Sequence, residues 1–252
     1  MRVTVCELPH EPVALMVAWS ALCEHTTRHA SELVLLPEFA MVEPVWESEH
    51  FGLARWSAAE SLGECWLARL PELHATYVVG TRPVTIESRR FNQGYVASAT
   101  DEVVPLRRKF FLPDEAGGWE ANWFEPGDAD FPVHHVGALS FALNICTELW
   151  AVENYGVYAR CGVQAILSPR ATAATTAKWL AVGVVAAVRS GAFSLSSNRV
   201  DPTGACGGTG WIVSPDGELL ATTTREEPFA TVDIDLNAPI AARGTYPRYV
   251  FM

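Results

Sequence analysis

The chain has 252 residues, of which 49% are hydrophobic, and a formal net charge of −11 at pH 7. A chain of this length and apolar content can bury a substantial core, and nothing in it divides cleanly into two units, so we expect one domain over residues 1–252. The acidic balance argues against a nucleic-acid partner, which needs a basic face. The densest basic clusters are only Arg89-Arg90 and Arg107-Arg108-Lys109.

The cysteine pattern and the hydrophobic runs indicate the cellular compartment and whether the chain binds a membrane. The six cysteines include no C-x-x-C pair, and the sequence shows no secretory leader, so we expect reduced thiols and a cytoplasmic protein. The longest aliphatic stretches, such as residues 182–188, are far too short to span a bilayer. No membrane partner is therefore expected.

Strands and helices are predicted to alternate from the start of the chain. Residues 2–7 alternate apolar and polar side chains as a strand does, and Pro12 opens a helix through about Ala30. Residues 33–36 form the second strand. Ser57-Ala58-Ala59-Glu60 resembles a capping box, which predicts a helix to about Pro71, and residues 77–81 return as a strand.

Further strands are predicted toward the C-terminus, with helical segments between several of them. A hairpin joined at Asp101 is expected from residues 91–100 and 102–107. The remaining predicted strands cover residues 140–145, 165–168, 193–198, 210–214, 219–223 and 230–236. This alternation predicts an α/β fold with helices covering the sheet faces, and by itself it does not choose between layer arrangements.

Three reactive side chains lie where predicted strands end. Glu38 follows the buried-type strand at residues 33–36, Lys109 follows residues 103–107, and Cys146 ends the apolar run 142–146. Taken singly, each has a simpler explanation: a core cysteine, or a charged residue on the surface. Taken together, an acid, an amine and a thiol at strand ends suit a general base, an oxyanion clamp and a nucleophile.

The segments around these residues, in this order, resemble the nitrilase superfamily of carbon–nitrogen hydrolases over nearly the whole chain. The matching segments are Leu36-Pro37-Glu38-Phe39, Arg108-Lys109-Phe110-Phe111-Leu112, Glu120 with Trp123-Phe124-Glu125-Pro126-Gly127, and Asn144-Ile145-Cys146-Thr147-Glu148. The resemblance implies a four-layer α-β-β-α sandwich. It implies a homodimer, formed through helices near the nucleophile, or a higher homo-oligomer. It also implies that Glu120 orients Lys109, and that the backbone amide of Thr147 joins Lys109 in stabilising an oxyanion.

Departures from the family pattern guide the substrate prediction. True nitrilases usually carry tryptophan after the nucleophile, whereas this chain has Thr147, so amide or N-carbamoyl hydrolysis is favoured over nitrile hydrolysis. Arg170 stands where a small residue is more usual, and it is either a partner for a substrate carboxylate or a surface arginine. Trp123 and Trp150 are candidates for lining the pocket, although tryptophans fill cores equally well.

Other chemistries have weaker support in the sequence. The only adjacent histidines are His134-His135, whose side chains point apart on a strand, so no metal site is expected. The glycine-rich residues 204–210 lack a nucleotide-binding pattern, so no cofactor is expected. Two alternatives stay open: acyl transfer by the same Glu-Lys-Cys site, and a catalytically silent scaffold of the same fold.

Overall fold

The structure is a computed structural model that describes residues 1–98 and 103–251. The strands are β1 (Arg2–Leu8), β2 (Leu33–Leu35), β3 (Tyr77–Ile86), β4 (Arg89–Ser98), β5 (Val103–Arg108), β6 (Val133–Val136), β7 (Leu139–Leu143), β8 (Ala165–Arg170), β9 (Phe193–Arg199), β10 (Trp211–Val213), β11 (Leu219–Thr222) and β12 (Phe229–Asp233). The helices are α1 (Pro12–His29), α2 (Leu53–Leu67), α3 (Glu120–Trp123), α4 (Asn154–Arg160), α5 (Thr176–Ser190) and α6 (Ala238–Arg243).

The strands pair in two halves that meet at β1 and β9. The order runs β5-β4-β3-β2-β1-β9-β8-β7-β6, with β12 also paired to β1, and β10 paired to both β9 and β11. Strands β1, β2 and β3 are mutually parallel, and so are β7, β8 and β9. Because β1 is also parallel to β9, the carboxyl ends of these six strands share one edge.

Side chains from the two halves pack on each other. One core cluster combines Val5 of β1 and Val79 of β3 with Phe141 and Leu143 of β7 and with Leu195 of β9. Gly94 of β4 leaves room for this contact, because a Cβ there would lie only 2.2 Å from Cδ2 of Leu143. A second cluster packs α1 and α2 against the other face of β2 and β3. The two halves therefore share one buried core, and helices cover the opposite side of β2 and β3.

Two element boundaries differ from the sequence prediction. Helix α2 begins at Leu53 after an N-cap at Gly52, so Ser57 lies inside the helix and the predicted capping box is wrong. Strand β3 continues to Ile86 and pairs with β4 along its length. Pro83 has no backbone N–H to donate to a neighbouring strand. It is tolerated in β3 because β2 pairs with β3 only over residues 77–79 and does not reach Pro83.

The predicted turn at Asp101 lies outside the described residues, although β4 and β5 flank it as an antiparallel pair. Within residues 1–98 and 103–251, no helix is both long and apolar enough to cross a membrane.

Candidate active site

Cys146 sits at the turn from β7 into a short 3-10 helix, Cys146–Trp150. Its φ of 51° lies in the left-handed region, which is strained for a residue with a Cβ and recurs at functional sites. The side chain is buried, with 4% of the residue exposed. The fold therefore holds the thiol in one orientation at the carboxyl edge of the sheet.

Glu38 follows β2 at the same edge and is fully buried. Its Oε1 accepts a hydrogen bond of 2.8 Å from the Asn92 side-chain amide and one of 2.9 Å from Lys109 Nζ. The second oxygen, Oε2, has no hydrogen-bond partner among the described residues. One oxygen of the carboxylate is thus fixed by the protein while the other stays available to a proton.

Lys109 connects the two glutamates of the site. Its Nζ donates to Glu38 Oε1 at 2.9 Å and to Glu120 Oε1 at 2.7 Å, and the side chain is fully buried. The backbone of Lys109 is held as well, because its N–H donates to the Asn92 carbonyl and its carbonyl accepts from Gly127. The structure therefore brings Glu38, Lys109 and Glu120 into contact.

Charge balance sets the protonation of this cluster. Burial lowers the pKa of the Lys109 ammonium, but the nearby Glu120 and Glu38 carboxylates outweigh burial and raise that pKa overall. Burial raises the pKa of the Glu120 carboxyl, an effect that Lys109 only partly offsets. The buried Glu120 carboxyl therefore gives up its proton less readily than an exposed glutamate does.

The Cys146 thiol interacts electrostatically with Glu38, Lys109 and Glu120. Burial raises the pKa of Cys146, Glu38 raises it further, and Lys109 lowers it in part. A thiol in such a place stays protonated at neutral pH, so it becomes nucleophilic only when a base removes its proton. Of the carboxylates that raise the Cys146 pKa, Glu38 has the largest effect, so it is the candidate base.

A buried carboxylate that the sequence analysis did not single out links the Cys146 and Lys109 segments. Glu148 accepts hydrogen bonds from the Ile145 N–H at 2.9 Å, from the Phe110 N–H at 2.7 Å and from Arg107 Nη1. Ile145 precedes Cys146 and Phe110 follows Lys109. Glu148 thereby fixes the spacing between the thiol and the amine, and its charge is balanced by buried Arg107.

These supporting residues carry only a partial signal in the sequence. Glu148 fell within the Cys146 segment that carried the family resemblance, but its partner Arg107 is 41 positions away. Asn92 lies 54 positions from Glu38 in the middle of β4, where a polar residue is unremarkable. Neither pairing follows from local spacing.

The residues predicted to bind substrate lie in different environments. Arg170 is fully buried, and its Nε, Nη1 and Nη2 donate to Ser196 Oγ, Thr172 Oγ1 and the Thr209 carbonyl. Each of its three nitrogens therefore already has a protein partner, and Arg170 is not a surface arginine. Burial lowers the Arg170 pKa to about 9.

The two predicted tryptophans also differ from each other. Trp123 is 1% exposed, and its indole N–H donates to the Ser48 carbonyl, so it packs as a core residue. Trp150 is 43% exposed and contacts Trp179 edge to face. Thr147 directly follows Cys146 in the 3-10 helix. Across the described ranges, no group of three or more His, Cys, Asp or Glu side chains is placed to hold a metal ion.

Comparison with known proteins assigns the family. The sequence model of the carbon-nitrogen hydrolase family matches residues 2–243. The protein therefore belongs to the carbon-nitrogen hydrolases, the nitrilase superfamily, which confirms the resemblance drawn from the sequence.

Solved structures give the same fold. A carbon-nitrogen hydrolase from Helicobacter pylori G27 superposes with a TM-score of 0.87 at 19% identity, covering 99% of this chain and 94% of that chain. An amidase from Nesterenkonia sp. gives 0.77 at 20% identity, covering 97% and 94%. A mutant of the Nesterenkonia sp. AN1 amidase in complex with butyramide gives 0.78 at 20% identity, with 97% and 94% covered. These likenesses confirm the mixed α/β, nitrilase-like class.

Proposed function

We propose that this carbon-nitrogen hydrolase cleaves the C–N bond of a small linear amide or N-carbamoyl compound through a thioester on Cys146. The observation that carries the proposal is the buried cluster in which Lys109 Nζ lies 2.9 Å from Glu38 and 2.7 Å from Glu120, at the edge where Cys146 is held. A base, a cation and a thiol in one dry site are the parts needed for acyl transfer to sulfur.

In the first half-reaction the free oxygen of Glu38 takes the Cys146 proton while the sulfur attacks the substrate carbonyl carbon. A carbon–sulfur bond forms and the carbonyl oxygen becomes an oxyanion. When the tetrahedral intermediate collapses, the C–N bond breaks and Glu38 returns the proton to the leaving nitrogen. Ammonia or an amine departs, and the acyl group remains on Cys146.

In the second half-reaction Glu38 takes a proton from water, and the resulting hydroxide attacks the thioester carbonyl. The carbon–sulfur bond breaks, the acid product leaves, and the proton held by Glu38 returns to the Cys146 sulfur. One carboxylate thus serves both steps. The Asn92 amide on its other oxygen keeps that carboxylate in one rotamer throughout.

The oxyanion of each intermediate is stabilised by Lys109 together with the backbone N–H of Thr147. Lys109 is suited to this because two carboxyl groups hold its ammonium without side-chain freedom. Glu120 acts as the orienting partner, and its raised pKa limits the excess of negative charge beside a developing anion.

Amides are favoured over nitriles as substrates. Thr147 occupies the position after the thiol, and a neighbouring structure of the same fold, the Nesterenkonia sp. AN1 amidase mutant, holds butyramide. A protonated thiol with a carboxylate base suits attack on a carbonyl, and the same site would also allow transfer of the acyl group to an amine acceptor in place of water.

We also propose that the protein forms a homodimer. The interface is the face made by α4, α5 and residues 150–152, which precede α4. Apolar side chains are exposed there: Trp150 is 43% exposed, Val152 49%, Val157 43% and Val185 49%. Contiguous exposed apolar groups mark association surfaces. Light scattering should give twice the chain mass, and Val157→Glu should shift the protein toward monomer; a monomeric native protein would refute the dimer.

Ammonia release from a panel of small amides, N-carbamoyl compounds and nitriles tests the proposed activity, with Cys146→Ala measured in parallel. We expect at least one amide-type compound to be turned over by the native protein and none by the variant. Turnover that survives in Cys146→Ala would refute the thiol mechanism. Failure of every compound to react or to modify Cys146 would favour the scaffold alternative.

A further inference from the structure

Arg199 is a buried cation that the mechanism above does not use. It ends β9 at the same sheet edge as the thiol, and 0% of the residue is exposed. Its Nη1 donates at 2.8 Å to the carbonyl of Phe39, the residue directly after Glu38. The guanidinium therefore lies against the Glu38 segment.

The rest of this guanidinium lacks protein partners. Nε and Nη2 of Arg199 are both buried, and neither has a hydrogen-bond acceptor among the residues that the structure describes. These two nitrogens form one edge of the planar guanidinium, with their N–H bonds parallel. This edge can bind a carboxylate through two parallel hydrogen bonds.

The nearby acids do not fill this edge. Cys206, Glu38, Glu47 and Asp201 all interact electrostatically with Arg199, but none of them accepts a hydrogen bond from its Nε or Nη2 within the described residues. Asp201 accepts from Thr203 and lies 3.7 Å from His10, while Glu38 is bound through Oε1 to Lys109. Burying a charged donor edge without an acceptor is costly, and a ligand that supplies the acceptor offsets that cost.

Arg170 provides the contrast. It is equally buried and also interacts electrostatically with Cys146, yet each of its nitrogens donates to a protein oxygen. Of the two arginines, Arg199 is therefore the one with a free carboxylate-binding edge. The sequence offered Arg170 as one candidate for this role, and the geometry favours Arg199 instead.

We propose that Arg199 binds a carboxylate on the substrate, so that the preferred substrates are amides or N-carbamoyl compounds that also carry a carboxylate group. The inference deepens the proposed function and rests on it. Arg199 bonds the carbonyl of the residue that follows Glu38 and interacts electrostatically with Glu38, so the unpartnered Glu38 oxygen and the unpartnered Arg199 edge belong to one buried region. A substrate bound between them presents its reacting carbonyl to one end of the site and its carboxylate to the other.

The first test uses the native protein and pairs of substrates matched in length. Succinamate is compared with butyramide, and malonamate and glutaramate vary the distance between amide and carboxylate. At least one carboxylate-bearing amide should have a kcat/KM well above that of butyramide. A preference for butyramide over all three would overturn the inference while leaving the thiol-dependent amidase intact.

The second test is the ratio of kcat/KM values for the best carboxylate-bearing amide and butyramide in variants. Arg199→Gln should lower that ratio about a hundredfold, because two charge-assisted hydrogen bonds are lost. Arg199→Lys keeps the charge without the two-point edge and should lower it less. Arg170→Lys is the matched control, and its ratio should stay within about threefold of the native value.

A third measurement does not depend on how the Arg199 variants fold. Cys146→Ala is crystallised with the best carboxylate-bearing amide, or with succinamate if no amide is turned over. The carboxylate should lie on Nε and Nη2 of Arg199. A carboxylate bound elsewhere, or a guanidinium edge occupied only by water, would overturn the inference, whereas a bound carboxylate without turnover would count against the proposed activity alone.

Discussion

Replacing Glu148 by glutamine is expected to destabilise the protein and to lower its activity together. Glu148 is fully buried and accepts from two backbone N–H groups and from Arg107 Nη1. Glutamine keeps the size of the side chain but removes the charge. It also turns an NH2 group toward donors, so at least one donor loses its acceptor.

The expected loss of stability follows from the charge that the substitution leaves unpaired. The Arg107 side chain is only 4% exposed, so Glu148→Gln leaves a buried guanidinium without a countercharge. Breaking one side of a buried ion pair typically costs about 3–5 kcal/mol. In the double variant Arg107→Met/Glu148→Gln the orphaned charge is gone, so part of that cost should be recovered, with a coupling energy of about 2 kcal/mol.

Urea unfolding measures both effects, and an exposed ion pair provides the control. Arg89 and Glu125 are 52% and 38% exposed, and Glu125→Gln should cost less than about 1 kcal/mol. If Glu148→Gln costs no more than Glu125→Gln, or if the double variant is simply additive, the Arg107–Glu148 pair does not hold the Cys146 and Lys109 segments together.

The remaining predictions concern the site itself. Lys109→Ala should lower kcat by about a hundredfold or more through loss of an oxyanion donor, measured with the best amide; a fall of less than tenfold would contradict that role. Asn92→Ala should lower kcat about tenfold because Glu38 loses a fixed rotamer, with near-native unfolding in urea as the control. Glu120→Gln should flatten the pH dependence of stability. Burial raises the Glu120 pKa above its ordinary value of 4.5, so the folded state keeps a proton that the unfolded chain releases. The free energy of unfolding of the native protein therefore falls as pH rises above about 4.5, and the variant lacks this fall. An equal slope in native and variant proteins would show that Glu120 does not carry that proton.

The catalytic candidates were accessible from the sequence because each follows a strand. Apolar runs predicted the strands before Glu38 and Cys146, and parallel strands bring their carboxyl ends to one edge. Lys109 reaches that edge because β5 is antiparallel to β4, which is antiparallel to β3. The order of the segments then pointed to the family, which supplied Glu120.

What the sequence missed depends on contacts between distant segments. Arg170 and Arg199 each end a buried strand, and only the tertiary structure shows that one guanidinium is fully engaged while the other has a free edge. The start of α2 was misplaced for a related reason: packing of Trp56 and Trp66 against the core extends the helix upstream of the local capping signal.

The thioester on Cys146 is the central claim, and intact-mass spectrometry of acid-quenched reaction mixtures tests it most directly. During turnover of a small amide, the native protein should gain the mass of the acyl group, peptide mapping should place it on Cys146, and the adduct should decay as substrate is exhausted. Cys146→Ala should show neither adduct nor ammonia. Steady ammonia release without any adduct, persisting in Cys146→Ala, would contradict the account.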